Sequence, residues 1–385
     1  MPRSGRSNGS GGPDVNVVGA GVIGLACAWR AAQRGLRVKV LERDHPGSGA
    51  SGVAAGMVAP VGEATWEEEL LIQAALASHR EWPAFADELA GTGGRPSLLR
   101  HGALHVALDA DEAAELRRRH DLMRSLGLEA EWLSGRECRS LEPGLGPSVF
   151  GGVHAPHEMG VDPSAVVESL HVACEAEGVK VVTGVEVTRA LWDGDALGGV
   201  VTSDGQEHRA RSTVLAAGAW SGAQGWLPEA ARPPVRPVKG QILTLRGSAE
   251  QPVAERIIVS ERVYLVPRAD GRVVVGATVE EMGFDVRVTA GGVHELLREA
   301  YRALPDVAEL ELERAVAGLR PGTPDNAPLV GRGTVDGLVL ATGHFRNGVL
   351  LAPLTARGVA RLLDGEPMPG EVAVADPQRF AGVTA

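Results

Sequence analysis

Lysine is almost missing from this chain. Lys39, Lys180 and Lys239 are the only lysines among 38 basic residues; the others are arginines, a bias that fits a GC-rich coding sequence better than a chemical need. An excess of positive charge is also missing. The net charge is −11 and the pI about 5.5, which weighs against nucleic acid or an anionic membrane as the main partner. Cysteine is scarce: Cys27, Cys138 and Cys174 lie far apart in no CxxC pattern. Disulfides and a structural zinc site are therefore not expected, and a reducing cytoplasm suits the chain. No apolar run approaches the roughly 20 residues that span a bilayer, and no internal repeat is present. Residues 1–13 have no apolar stretch and read as a disordered tail, not a signal peptide.

What is present begins at residue 15. Val15, Val17 and Val18 form a short β-branched run suited to a buried parallel strand. Gly19, Gly21 and Gly24 follow at GxGxxG spacing. Helical periodicity then runs to Gln33, Gly35 fits the end of that helix, and residues 37–41 form a second strand ending in Glu42. This is a βαβ unit opened by a glycine turn. Gly19 allows the tight turn, Gly21 lets backbone approach a pyrophosphate, and Gly24 lets helix and strand pack closely. The helix N-terminus offers free N–H groups and a positive dipole end to the phosphates. Glu42, 18 positions beyond Gly24, can accept hydrogen bonds from ribose hydroxyls. The small, glycine-rich stretch 48–60 can lie along the same cofactor.

At 385 residues two domains are expected. Helices are predicted over 67–89, 111–126 and 163–178. The last opens with Asp162-Pro163 as cap and first-turn proline, and Ser134 with Glu137 reads as a capping box before another short helix. The arginines of the RRRH run at 117–120 are expected on a solvated face. Residues 151–162 read as a loop. His154, His157 and Glu158 there suggest a metal site only weakly, surface turns being the plainer reading. From residue 235 the pattern changes to successive strands at 239–245, 257–260, 262–268 and 272–278, the last two joined through the turn pair Asp270-Gly271. Strands at 180–182, 186–189, 213–217 and 338–341 and a final helix to 363 belong with the first unit. The expected fold is α/β: a Rossmann-like nucleotide-binding domain built from three segments (14–90, 152–222, 316–385), with an inserted, mostly antiparallel substrate domain (91–151, 223–315).

Six segments, in order, carry a family resemblance: GAGVIG at 19–24, ASGVAAGMVAP at 50–60, PVKGQ at 237–241, YLVPRADGRVVVGAT at 264–278, and the pair GLRPGTPD at 318–325 and GHFRNGVLLAP at 343–353. The chain resembles the FAD-dependent glycine oxidases of thiamine biosynthesis, within the wider D-amino-acid oxidase and sarcosine oxidase group. The resemblance implies that Gly19, Gly21, Val22, Ile23 and Gly24 hold the FAD pyrophosphate and Glu42 the adenosine ribose. Arg43, Ala50 and Ser51 would lie near the adenosine and phosphates, and the backbone of Val187 near the adenine. Ala55, Gly56 and Met57 would pass along the flavin. His344, Phe345, Arg346, Asn347, Gly348, Val349 and Leu350 would border the pyrimidine edge of its ring. Arg320, with Tyr264 and Arg346, would bind the substrate. Partners are then a small amino acid and O2, in a possible homotetramer.

Physical chemistry supports those substrate roles. An amino acid must present its Cα–H to the flavin, and fixing its carboxylate achieves that. The planar arginine fork suits both oxygens. The bland alternatives are arginines paired to acids or carbonyls and a core tyrosine with a satisfied hydroxyl. A helix starting after Gly348 would aim its positive end at the ring. No catalytic acid or base is nominated, and His344 is read as structural. No cysteine follows Cys174, so noncovalent FAD is expected. Two positions depart from the family pattern: Arg262 stands where His is frequent, and Val279 where Met is frequent. Both bear on which amine is preferred. The expected activity is oxidation of glycine, sarcosine or D-alanine to an imine, with peroxide release. Three other readings stay open: a dehydrogenase passing electrons to an acceptor other than O2, a non-enzymatic flavin-binding protein, and a nicotinamide-dependent dehydrogenase.

Overall fold

The computed structural model describes residues 12–62 and 69–380. Most of the expected N-terminal tail and the predicted start of the helix at 67 lie outside the described residues. Val15–Val18 forms the centre of a six-stranded sheet. Its neighbours are Val38–Leu41 and Ser212–Leu215, both parallel and in register from Val15. Lys180–Val182 and Leu338–Thr342 extend the parallel set outward, and Leu329–Arg332 closes one edge antiparallel. Parallel strands buried on both faces need apolar residues at nearly every position, which explains the β-branched runs seen in the sequence.

The helix Val22–Gln33 is buried on almost every side, from Val22 through Ala32. It packs between the helices Pro163–Ala176 and Gly348–Leu363. Beyond them, Glu69–Gly91 adds a second layer, with Trp29, Phe85 and Trp82 in two edge-to-face contacts at 5.4 Å. Such aromatic pairs contribute about 1 kcal/mol each beyond area burial. Local signals at helix ends hold up. Asp162 accepts from Ser164 N–H ahead of Pro163, Ser134 and Glu137 form the reciprocal box, and Gly35 takes φ +81° just past the first helix.

The second large element is an eight-stranded sheet. Its order is Glu311–Gly322, Arg236–Arg246, Arg272–Gly276, Tyr264–Pro267, Ile257–Val259, Ala103–Ala107, Gly151–Ala155 and Glu131–Ser134. All pairs are antiparallel except Ile257–Val259 with Ala103–Ala107. The Asp270-Gly271 hairpin forms as expected, with Gly271 at φ +85°.

Three expectations need correction. Residues 151–162 are not a loop: Gly151–Ala155 pairs within the large sheet and Met159–Gly160 pairs with Met57–Val58. Glycines at 151 and 152 hid a strand whose neighbours leave no room for side chains; a Cβ at Gly152 would stand 2.6 Å from His105 O. The large sheet therefore takes residues 152–155 and all of Glu311–Gly322, beyond the boundaries drawn at 152 and 316. Finally, the RRRH run is only half solvated. Arg117 lies 4.4 Å over the Trp132 ring, Arg119 donates to Gly62 O at 2.7 Å, and His120 contacts Ala130 O at 3.1 Å. No helix among the described residues is long and apolar enough to cross a membrane.

Candidate active site

A single cavity of about 660 Å³ runs from the carboxyl edge of the six-stranded sheet to the near face of the large one. The ends of the parallel strands open onto it at Val18, Leu41 and Thr342, where α/β sheets place their ligands. Every residue expected at the cofactor or the substrate lines this cavity except Gly24. Gly24 acts beneath it: a Cβ there would collide with the Gly19 carbonyl oxygen and crowd Ala216. Gly19 itself has φ +105°, and a Cβ on it would stand 2.5 Å from Ala216 O. Both glycines are thus required by backbone approach, not by chance composition.

Gly21 is the N-cap of the first helix and has no side chain to occupy its end. Ser51 enters instead, its hydroxyl accepting from Val22 N–H at 3.0 Å. Glu42 is buried at the end of its strand. It accepts from Ala20 N–H at 2.7 Å and from Asp44 N–H at 2.9 Å, so the carboxylate also ties the glycine turn to the second strand. Arg43 is exposed and lies 4.9 Å over the ring of Trp220, which also lines the cavity. Ala50 and Ser51 belong to a single helical turn, Ala50–Gly52. Gly56 takes φ +76°, tight against Val161 and Pro163, and leads Ala55 and Met57 past the cavity wall. Val187 reaches it from the start of the strand Val187–Asp193. A glycine turn, an open helix end and a long slot of this kind fit a dinucleotide.

The far wall comes from the last loop and helix. Phe345 adopts φ +46° and its N–H donates to Pro321 O at 2.9 Å, which clips the loop to the large sheet. Asn347 caps Gly348–Leu363 without a side-chain bond, leaving the N-termini of Gly348, Val349 and Leu350 at the cavity. Pro353 lies in the second turn of that helix and cannot donate. The neighbouring helix mends the opening: Leu350 O accepts from Ser78 Oγ at 2.7 Å and Trp82 Nε1 at 3.0 Å, while Leu354 N–H donates to Ser78 at 3.3 Å. His344 is fully buried, 3.0 Å from Thr355 Oγ1, and burial pulls its pKa down to about 3. It is neutral near pH 7.

Arg320 and Tyr264 both line the end of the cavity formed by the large sheet. Arg320 pairs with Val238 across the sheet, and its guanidinium lies over Gly240, where any Cβ would collide with it. Its Nη1 donates to Thr278 O at 3.0 Å and to Lys239 O at 3.4 Å. No carboxylate among the described residues forms an ion pair with it. Tyr264 is half-buried opposite Gly276, close enough that a Cβ on Gly276 would strike its hydroxyl. Arg346 stands apart from these two in burial: it is exposed, 5.3 Å over the Phe345 ring. Arg262 and Val279 both line the cavity from exposed positions.

The strand residues alternating with Tyr264 behave differently from one another. Val266 is in the core, and Arg268 is buried, donating to Ala55 O at 2.5 Å. The cavity also takes residues that spacing did not single out: Gly62, Glu115, Arg119 and Gln224. No local signal marks them. His154, His157 and Glu158 diverge. His154 pairs with Leu104 within the sheet, His157 contacts Glu129 at 2.6 Å, and Glu158 is buried against His105 at 3.1 Å while accepting from Gly62 N–H at 2.7 Å.

The family model described as FAD dependent oxidoreductase (DAO) matches residues 14–362. A glycine oxidase of Geobacillus kaustophilus is 34% identical over 358 residues, 91% of this chain and 93% of the relative. The bifunctional protein ThiO/ThiG of Synechocystis is 36% identical over 381 residues. That match covers 96% of this chain, which spans about half (54%) of the bifunctional relative's length. The crystal structure of glycine oxidase from Geobacillus kaustophilus superposes with a TM-score of 0.88 at 33% identity, covering 95% of this chain and 98% of the other. A built dinucleotide slot, a fold shared over its full length and a family match over nearly the whole sequence lead to one conclusion: this chain belongs to the DAO family of FAD-dependent oxidoreductases.

Proposed function

We propose that this protein oxidises glycine or a small relative such as sarcosine or D-alanine, using noncovalently bound FAD and O2. The observation that carries the reading is Arg320. It is a half-buried guanidinium in the same cavity as the glycine turn, held only by carbonyl oxygens and paired with no carboxylate among the described residues. A cation so placed favours an anionic ligand, and its planar fork suits a carboxylate.

FAD, when bound, supplies the two-electron acceptor. The chain's own groups do the rest. Arg320 fixes the substrate carboxylate and Tyr264 supports it from a strand three places across the large sheet. Arg346 closes the mouth from its exposed position. The peptide run through Ala55, Gly56 and Met57 would form the wall beside bound FAD, and the N-terminus of Gly348–Leu363 would offer its positive end to the cofactor. His344, neutral and bonded to Thr355, shapes the loop and moves no proton. The six-stranded sheet and its helices form the cofactor domain in this reading, and the large sheet forms the substrate wall. Glycine is oxidised to an imine, which water converts to glyoxylate and ammonia, while sarcosine gives glyoxylate and methylamine and D-alanine gives pyruvate and ammonia; in each case O2 is reduced to hydrogen peroxide. Use of the imine for the thiazole of thiamine, a cytoplasmic location and a homotetramer belong to the same proposal. The ThiO/ThiG likeness and the three buried, unpaired cysteines support the first two.

The test is an amine panel on the purified yellow protein with peroxide detection. Glycine, sarcosine or D-alanine should release peroxide in proportion to amine consumed. Flavin reduction without air and slow reoxidation in air would assign a dehydrogenase instead. A panel giving no flavin reduction at all would overturn the oxidase reading.

A further inference from the structure

Lys239 is one of three lysines in an arginine-rich chain, and it is only 1% exposed. Its ammonium pairs with Glu280 at 3.3 Å. That carboxylate is bound from three sides. Its other oxygen accepts from Thr278 Oγ at 2.5 Å and from Gln241 Nε2 at 2.7 Å. Backbone hydrogen bonds of 2.9 and 3.0 Å join Lys239 and Glu280 in both directions. Burial pushes the Glu280 carboxyl upward, but its hydrogen bonds from Thr278, Gln241 and Lys239 outweigh this and hold it below the ordinary range, so it is ionised.

The two carbonyls that hold Arg320 belong to the same residues, Thr278 and Lys239. Glu280 is two positions along the chain from one of Arg320's anchors, Thr278, and is joined through its backbone to the other, Lys239. An arginine and a carboxylate sharing such a neighbourhood pair readily, since a charge-assisted bond is roughly twice as strong as a neutral one. Yet Glu280 is turned to Lys239, and neither of these residues lines the cavity, whereas Arg320 does.

We infer that Lys239 is a positioning residue that sequesters Glu280, so that Arg320 keeps its charge for the substrate carboxylate. The inference rests on the reading of Arg320 as the carboxylate clamp. It explains why an ion pair is built one layer behind that arginine, where a hydrophobic pair would cost less desolvation. Without Lys239, Glu280 is an intramolecular competitor for the clamp, always present at high effective concentration.

The test uses the FAD-loaded full chain and four variants: Lys239→Met, Glu280→Gln, the double variant, and Arg320→Ala. Two quantities are read: KM and kcat for glycine, and the Kd of acetate from the change in the flavin spectrum it causes. Lys239→Met should raise both KM and the acetate Kd by about tenfold, the value of a lost charge-assisted bond, with kcat little changed. Glu280→Gln should lower thermal stability, because it leaves a buried ammonium unpaired, while KM stays near wild type. The decisive variant is the double one: removing the competitor should restore KM and the acetate Kd to within about twofold of wild type. A purely structural pair predicts no such rescue. A double variant as weak as Lys239→Met, or an unchanged KM in Lys239→Met, overturns the inference. Arg320→Ala separates the two levels: if it leaves KM unchanged, the clamp itself is wrong, and if it alone raises KM, the clamp stands and the sequestering role falls. Lys239→Leu carries the same test if the methionine variant does not fold.

Discussion

The two ends of the cavity are built from different materials. At the nucleotide end the work is done by backbone: a turn at Gly19, a helix end at Gly21 without a side chain of its own and close packing at Gly24, all within one βαβ unit. At the other end, which the proposed function assigns to the substrate, it is done by side chains from separate segments. Arg320, Arg346 and the nearby pair Arg262 and Tyr264 arrive from three stretches spread over 85 residues, and the network behind Arg320 draws on Lys239, Gln241, Thr278 and Glu280. Backbone sites tolerate little change and reveal themselves by spacing. Side-chain sites can be retuned one residue at a time, which is how one fold serves several amine substrates.

The strongest test of that contrast is a steric one. Gly24→Val would drive a branched side chain into the Gly19 carbonyl, a cost of several kcal/mol. The purified protein should then carry little or no flavin, as read from the ratio of visible to 280 nm absorbance. Full flavin content in that variant would break the claim that backbone proximity builds this end. Next in size is Arg320→Ala. It should keep its flavin yet raise KM for glycine about tenfold to a hundredfold, the loss of a hydrogen-bonded charge pair. Loss of flavin together with activity would mean the two ends are not separable.

A third, smaller effect concerns pH. Burial depresses the His344 pKa to about 3, below its ordinary 6.5 when unfolded. The unfolded chain therefore binds the proton more readily, and the stability due to neutral His344 is complete above pH 6.5 and lost as pH falls toward 3. The slope is about 1 kcal/mol per pH unit. Denaturation of wild type and His344→Gln should show wild type losing more stability between pH 6.5 and 4, with no difference in slope between pH 7 and 8. Parallel slopes across the acid range would show the imidazole to be solvated. The smallest effect is expected at Arg262, which lines the substrate end from an exposed position. Arg262→His should change the relative kcat/KM for glycine, sarcosine and D-alanine by a few-fold, within the about 1 kcal/mol typical of screened surface charges. Identical ratios in mutant and wild type would remove it from specificity.

Legibility followed the same division. The βαβ unit, the Asp162-Pro163 helix start, the Ser134–Glu137 box and the Asp270-Gly271 hairpin were readable because each is decided within about ten residues by capping, turn or packing chemistry. The strand Gly151–Ala155 was missed because its glycines answer to neighbours distant in sequence, His105 and Trp132. Helical charge runs are usually solvated, so nothing in the sequence marks Arg119 apart from its neighbours; its contact with Gly62 depends on how the helix docks. Glu158 looked like a surface turn residue and proved to be a buried partner of His105.

By itself the sequence determined that a nucleotide slot exists and where its glycine turn lies, because steric permission for the backbone is a local property of Gly19, Gly21 and Gly24. It also marked Arg320 as a candidate, through a motif rather than through any local physical rule. Only the tertiary structure decided that Arg320 is held by carbonyls and, among the described residues, spared a carboxylate, and that Glu280 turns instead to Lys239. Which charges pair depends on which distant strands are brought side by side, and no spacing along the chain encodes that distance.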